Sequence, residues 1–139
     1  MKNILIVGCG LIGSSILRAL HHKKIFKNIF VLEKSTKNIS ILKKLKIKCK
    51  IINNLENLSI NFDFIIFCTP MSQYSNIIFK INKLINNKTL VTDVGSTKEQ
   101  SYKQVKKIIK KNTIWIPSHP ITGSEVSGPK YGDKSLFKN

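Results

Sequence analysis

Short apolar runs alternate along this chain with longer stretches whose apolar residues recur at helical spacing. The runs are 3–7, 28–33, 49–52, 63–68, 89–93 and 113–117. The runs 3–7 and 63–68 are continuously apolar after their first residue, which is typical of parallel strands buried on both faces, and 49–52 could be a short strand. The stretches between them that predict helices are 11–22, 36–46, 72–86 and 97–111. From Ser118 onward, glycine, proline and serine predict a loop.

This strand–helix order predicts an α/β fold with a doubly wound, mainly parallel sheet. Short connections between the elements imply right-handed strand–helix–strand units with helices on both faces of the sheet. A length of 139 residues fits one domain and excludes two large ones. In such a sheet, ligands bind outside the carboxyl ends of the strands, so candidate functional residues are expected there.

The chain is strongly basic, with 24 Lys and Arg against 7 Asp and Glu, a net charge of +17. Arg18 is the single arginine, whereas surfaces that read nucleic acid favour the planar arginine side chain. We therefore expect solvated lysine-rich helix and loop surfaces and no specific nucleic-acid partner. A hydrophobic fraction of 42% argues against disorder.

Cysteine usage and hydropathy favour a cytoplasmic protein. Cys9, Cys49 and Cys68 form no CxxC pair and leave an odd thiol, which is typical of a reducing compartment. The apolar run before Cys9 is too short for a signal-peptide core, and no run reaches the length of a membrane span. We expect no membrane partner and, because no His/Cys cluster has metal spacing, no structural metal.

The first strand is followed by a GxGxxG motif made of Gly8, Cys9, Gly10, Leu11, Ile12 and Gly13. Gly8 would permit a tight turn, Gly10 a close approach of pyrophosphate to the helix N-terminus, and Gly13 close packing of helix on strand. The N–H groups of the first helical residues, Leu11 and Ile12, would face that anion. This pattern predicts a Rossmann-type dinucleotide site; the alternative is a turn without ligand.

An acid stands 20 residues after Gly13, at the end of the second strand: Glu33. It could accept hydrogen bonds from the adenosine ribose hydroxyls. Its charge favours NAD because it would repel a 2′-phosphate. Lys34 and Lys37 could weaken that repulsion, so NADP stays open.

Two further segments carry polar residues at predicted strand ends. Asp93–Lys98 lies at a strand-to-helix junction, where Ser96 or Thr97 is expected to cap the helix. The segment 118–129 combines one histidine, His119, with Glu125 and several hydroxyl groups. Because His119 follows a strand, it is expected at the ligand edge of the sheet and is a candidate functional residue.

Four segments together resemble the prephenate dehydrogenase family, which includes arogenate and cyclohexadienyl dehydrogenases. They are GCGLIGSS at 8–15, CTP at 68–70, DVGSTK at 93–98 and HPITGSEVSGP at 119–129. The resemblance covers essentially the whole chain. It implies that residues 1–139 form the NAD(P)-binding Rossmann domain, with the catalytic histidine loop at 118–129. It also implies that the family's C-terminal helical domain, which dimerises and supplies an arginine for the substrate carboxylate, is absent here.

The resemblance further implies an enzyme of tyrosine biosynthesis that uses NAD, or NADP, for an oxidative decarboxylation. Prephenate would give 4-hydroxyphenylpyruvate, and arogenate would give tyrosine. His119 would take the proton of the substrate hydroxyl. Ser96 would hydrogen-bond near the same hydroxyl and help to orient His119. Ser124 and Glu125 would line the substrate entrance, and Thr69 and Pro70 would lie along the cofactor.

Three other functions fit part of the sequence. Another Rossmann oxidoreductase of the β-hydroxyacid dehydrogenase type shares GxGxxG, but the segment 119–129 argues against it. A non-catalytic dinucleotide-binding module would bind NAD without turnover. Nucleic-acid binding driven by the charge of +17 would weaken steeply with salt and ignore NAD.

Overall fold

Within the residues that the structure describes, six parallel strands form one sheet in the order β3-β2-β1-β4-β5-β6. The computed structural model describes residues 1–55, 58–109, 113–122 and 125–138. The strands are β1 (Asn3–Val7), β2 (Asn28–Leu32), β3 (Lys50–Ile52), β4 (Phe64–Phe67), β5 (Leu90–Asp93) and β6 (Ile114–Pro117). Every neighbouring pair is parallel, which confirms the predicted doubly wound sheet.

The helices connect these strands in the predicted order, and some of them end earlier than predicted. They are α1 (Leu11–Lys23), α2 (Thr36–Lys44), α3 (Tyr74–Ile81) and α4 (Lys98–Ile108). Helix α2 stops short of the predicted residue 46 because Lys46 adopts a left-handed φ of 52°. A left-handed residue cannot continue a right-handed helix.

The predicted helix over 72–86 is divided into three parts. A 3₁₀ turn at Met71–Gln73 precedes α3, and a second one at Asn82–Leu84 follows it. The second turn tightens the chain, and Leu84 and Ile85 are both buried in the core. The chain therefore buries these two side chains through a 3₁₀ turn, and the regular helix that their spacing predicts ends at Ile81.

The core has two layers because alternate residues of each strand point to opposite faces of the sheet. On one face, Leu5 and Val7 of β1 pack in a cluster with Tyr74 and Ile78 of α3. On the other face, Ile4 and Ile6 of β1 pack in a cluster that includes Leu17 of α1 and Leu42 of α2. Both faces of the central strands are covered, which explains why their sequences are continuously apolar.

The helices have the dimensions of a globular domain. Within the described ranges, none is both long enough and apolar enough to cross a lipid bilayer.

A buried aromatic pair generates a stability prediction. Phe62 is 1% exposed, and its ring stands edge-on to Phe30 with centroids 5.3 Å apart. We expect Phe62→Ala to lower the free energy of unfolding by about 3–5 kcal/mol, because it leaves a cavity and removes the ring contact. Urea denaturation followed by circular dichroism measures this change.

The matched control is Phe79→Ala, because Phe79 is 77% exposed. It should change the free energy of unfolding by less than about 0.5 kcal/mol. Equal losses in the two variants would contradict the assigned core.

Candidate functional site

The loops that follow β1, β4 and β5 meet at the carboxyl edge of the sheet. A Cβ atom on Gly8, after β1, would lie 2.6 Å from Cγ2 of Thr69, after β4. A Cβ atom on Gly95, after β5, would lie 2.7 Å from Sδ of Met71. The turn after β4 therefore lies against the loops after β1 and β5. The predicted site residue Gly8 is next to Thr69, and Pro70 follows Thr69 in the same turn.

The glycines of the first turn have three different environments. Gly8 has a φ of +83°, a conformation that L side chains rarely adopt. A Cβ atom on Gly13 would overlap the carbonyl oxygen of Gly8, so the absence of a side chain lets α1 pack directly on the turn. Gly10, in contrast, has no heavy atom of the described chain within 4 Å of its Cβ position. The space in front of Gly10 is open.

The N-terminus of α1 faces this open space with uncapped backbone donors. Its N-cap is Gly10, which has no side chain to accept a hydrogen bond, and its first turn contains no acidic residue. The N–H groups of Leu11, Ile12 and Gly13 have no partner within a helix that begins at Leu11. Free donors at the positive end of a helix dipole attract anions, so this end fits the pyrophosphate of a dinucleotide.

Glu33 lies directly after β2, with its carboxylate against the glycine turn. The backbone N–H of Cys9 donates to Oε2 (3.0 Å), and those of Lys34 (2.8 Å) and Ser35 (2.9 Å) donate to Oε1. The side-chain amide of Asn38 also donates to Oε2 (3.3 Å). These donors fix the carboxylate beside the turn, where the predicted contact with a ribose would be made.

Thr69 carries a buried hydroxyl beside the same turn. Within the described part of the chain, its Oγ1 has no hydrogen-bond partner. An unpaired buried hydroxyl is costly, and a nearby bound molecule or water is a common reason for one. Thr69 lies beside Gly8, and its contact with a cofactor stays a prediction.

Burial disfavours the thiolate form of both cysteines at this edge. Burial raises the pKa of the Cys9 thiol far above its ordinary value, and the neighbouring Cys68 raises it further. Burial raises the pKa of Cys68 as well, with a further contribution from Asp93. Because the thiolate is the reactive form, neither group is suited to nucleophilic chemistry at neutral pH.

His119 lies after β6, beside a cavity of about 390 Å³. The lining residues are Ile16, Ile66, Val94, Ser118, His119, Pro120 and Phe137. The cavity thus combines one imidazole and one hydroxyl with an otherwise apolar wall. Phe137 was not among the predicted site residues, and its place 18 positions after His119 gave no sequence signal.

The remaining predicted residues have mixed positions. Ser96 is exposed on the loop between β5 and α4. Thr97 is at the N-cap of α4, as one of the two expectations had it, but its hydroxyl donates to Sδ of Met71 (3.3 Å) and makes no capping bond. Glu125 is exposed and is not among the described residues that line the His119 cavity. Ser124 lies outside the described residues.

A buried polar cluster behind the site was missed by the sequence reasoning. Asp93 is fully buried at the end of β5 and accepts a hydrogen bond from the phenol of Tyr74, which is also fully buried. Burial, together with the Asp93 carboxylate, raises the pKa of the Tyr74 phenol well above its usual range. The signal was available: Tyr74 shares the helical spacing of the buried Ile77, Ile78 and Ile81.

Comparison with known families matches nearly the whole chain. Residues 16–139 match the family model described as "Prephenate dehydrogenase, nucleotide-binding domain". The glycine motif at 8–13 precedes this matched range, so the match depends on the rest of the chain, including the segments at 93–98 and 119–129.

Curated relatives have similar names. A cyclohexadienyl dehydrogenase of Zymomonas mobilis is 26% identical over 138 residues, which are 99% of this chain and 47% of that protein. A prephenate dehydrogenase of Lactococcus lactis is 32% identical over 145 residues, which cover 100% of this chain and 39% of that protein. The chain therefore spans less than half the length of these relatives.

Solved structures share the fold. The prephenate dehydrogenase of Aquifex aeolicus, in complex with hydroxyphenyl propionate and NAD⁺, superposes with a TM-score of 0.87 at 27% identity. The alignment covers 100% of this chain and 48% of that one. A Synechocystis arogenate dehydrogenase shares the fold with a TM-score of 0.76 at 21% identity, over 99% of this chain and 47% of that one.

Two findings lead to the same family. The sheet carries the glycine turn and the ends of β4, β5 and β6 at one edge, and residues 16–139 match the family model. This chain belongs to the prephenate dehydrogenase family and carries its nucleotide-binding domain.

Proposed function

We propose that residues 1–139 are the NAD(P)-binding, histidine-bearing part of a prephenate or arogenate dehydrogenase. The observation that carries this proposal is the position of His119. It lies at the same edge of the sheet as the open glycine turn, within a segment matched by the family model. The oxidation of an alcohol requires a dinucleotide site and a proton acceptor, and both are found here on loops at the same edge of the sheet.

The cofactor of the proposed enzyme is NAD, with NADP as the alternative. Gly8, Gly10 and Gly13 shape the turn, and the N–H groups at the start of α1 bind the pyrophosphate. Glu33, held by Cys9, accepts the ribose hydroxyls, which favours NAD. When bound, the nicotinamide supplies the hydride acceptor.

His119 is the proposed general base. A neutral imidazole can take up the proton of the substrate hydroxyl near neutral pH. Ser96 hydrogen-bonds near that hydroxyl and orients His119. Ser124 and Glu125 line the substrate entrance. As the hydroxyl carbon is oxidised, the ring loses CO₂ and becomes aromatic, which drives the reaction.

The proposed substrate is prephenate or arogenate, and the product is 4-hydroxyphenylpyruvate or tyrosine. The relatives are about twice as long as this chain. The part of them that has no counterpart here is the proposed location of a helical dimerisation domain and of the arginine for the substrate carboxylate.

The direct test is to mix the chain with NAD⁺ and prephenate and to follow NADH by absorbance, with arogenate in parallel. The same assay with NADP⁺ tests the cofactor preference, and calorimetry with NAD⁺ alone measures binding. NADH formation that depends on one of the two substrates supports the proposal. NAD⁺ binding without turnover, in a protein that also contains the family's second domain, would favour a non-catalytic dinucleotide-binding module.

Substitution of Gly10 separates cofactor binding from folding. Gly10→Val should weaken NAD⁺ binding at least tenfold, about 1.4 kcal/mol, because the side chain fills the open space proposed for pyrophosphate. The melting temperature should change little, since no described heavy atom lies within 4 Å of the Cβ position. In contrast, Gly13→Ala should lower the melting temperature because its Cβ overlaps the Gly8 carbonyl oxygen. Normal NAD⁺ affinity in Gly10→Val would contradict the proposed site.

Substitution of His119 tests the general base. His119→Ala should lower kcat by about 10²–10⁴ and leave the dissociation constant of NAD⁺ within about twofold, because the imidazole is assigned to proton transfer alone. His22→Ala is the matched control, since His22 is exposed in the last turn of α1. An unchanged kcat in His119→Ala would remove this residue from the mechanism.

A further inference from the structure

The residues immediately before Ser96 and His119 share one buried partner. Gly95 precedes Ser96 on the loop after β5, and Ser118 precedes His119 on the loop after β6. The backbone N–H of Gly95 donates to Oδ2 of Asp93 (3.0 Å), and that of Ser118 approaches Oδ1 of Asp93 (3.4 Å). One carboxylate thus bonds both loops, with one oxygen for each.

A carboxylate at this position needs an explanation beyond strand formation. Asp93 is 0% exposed and stands in register between Phe67 of β4 and Pro117 of β6. An apolar residue would fill such a place at no electrostatic cost, whereas a buried charge is unfavourable unless donors surround it. The donors found around Asp93 come mainly from the two loops that carry the proposed site residues.

Two further contacts restrict the movement of this carboxylate. The phenol of Tyr74, from α3, donates to Oδ2 (3.2 Å), and the Tyr74 ring packs on Phe67 with centroids 5.3 Å apart. The Ser118 hydroxyl donates to the backbone carbonyl of Asp93, so Ser118 is held by both its N–H and its side chain. A Cβ atom on Gly95 would lie 2.9 Å from Oδ2, so the Gly95 backbone packs directly against the carboxylate.

We propose that Asp93 is a positioning residue that fixes the distance between Ser96 and His119 by holding Gly95 and Ser118 on its two carboxylate oxygens. This inference rests on the proposed function, because it assigns the spacing of these loops to the placement of the substrate hydroxyl. A carboxylate suits the task because the Tyr74 hydroxyl and the N–H groups of Gly95 and Ser118 all act as donors toward it. An amide would present one NH₂ group to a donor and could not satisfy both loops.

The decisive variant is Asp93→Asn, which keeps the size of the side chain and removes one acceptor. In the enzyme that the activity assay uses, kcat should fall about 100-fold, the loss typical of a small misplacement at a catalytic site. The dissociation constant of NAD⁺ and the KM of the substrate should stay within about threefold, because Asp93 lies behind the site and away from the glycine turn.

Thr89→Val is the matched control. Thr89 is fully buried before the opposite end of β5, where its hydroxyl donates to the carbonyl of Phe62 (2.8 Å). Its hydroxyl also accepts a hydrogen bond from the N–H of Asn86 (3.1 Å). Loss of both bonds should lower the melting temperature while kcat stays within about twofold, because they lie at the opposite end of β5 from the two loops. A kcat in Asp93→Asn equal to that in Thr89→Val would overturn the proposal.

A spectroscopic measurement tests the anchor without turnover. The ring signals of His119 in NMR spectra, assigned with His119→Ala, should shift or broaden in Asp93→Asn and stay in place in Thr89→Val. The amide protons of Gly95 and Ser118 should exchange slowly in the unsubstituted protein and faster in Asp93→Asn. Unchanged ring signals and unchanged exchange rates would overturn the proposal.

The two proposals can fail separately. If the unsubstituted enzyme oxidises neither prephenate nor arogenate, the proposed function fails, and the ring signals and exchange rates still decide whether Asp93 holds the loops. If Asp93→Asn does not fold, Tyr74→Phe replaces it, because it removes the phenol that donates to Oδ2 beside the N–H of Gly95. The His119 signals should then move in the same direction by a smaller amount, and unchanged signals would contradict the anchor.

Discussion

The parallel pairing of β1 with both β2 and β4 is the constraint on which the site depends. Val7 stands opposite Leu32 on one side and Phe67 on the other, so the three strands end at the same level. The pairing continues past the strand ends, where the N–H of Gly8 donates to Leu32 and that of Cys68 donates to Val7. This register carries the Glu33 carboxylate to the glycine turn and the loop after β4 to Gly8.

Two carboxylates at this edge are stabilised in different ways. Glu33 is partly exposed and bonded mainly by backbone donors of its own turn and of the glycine turn, so its carboxylate lies beside the proposed cofactor site. Asp93 is fully buried and bonded from α3 and from two loops. The first arrangement suits contact with a ligand, and the second suits the fixing of loop positions.

The basic side chains that give the chain its large positive charge are not among the buried residues that the structure describes. In the described residues, the buried polar or charged side chains are Ser14, Ser15, Thr89, Thr92 and Asp93, and none is a lysine. Every lysine whose burial the structure describes is exposed, as the distribution of lysines in the sequence predicts. The basic character of this chain and the chemistry of its proposed site have separate origins.

Local patterns predict the order of strands and helices and the glycine turn, because apolar periodicity and glycine spacing are local properties. The positive φ of Gly8 and the close packing at Gly13 follow from the motif, since each depends on a backbone conformation or on one close neighbour. Which distant residues meet depends on the tertiary fold. Asp93, Tyr74 and Ser118 are separated by many positions, and only the order β1-β4-β5-β6 brings them together. Burial of a charge is set by all the elements packed around it, so no local pattern could assign it.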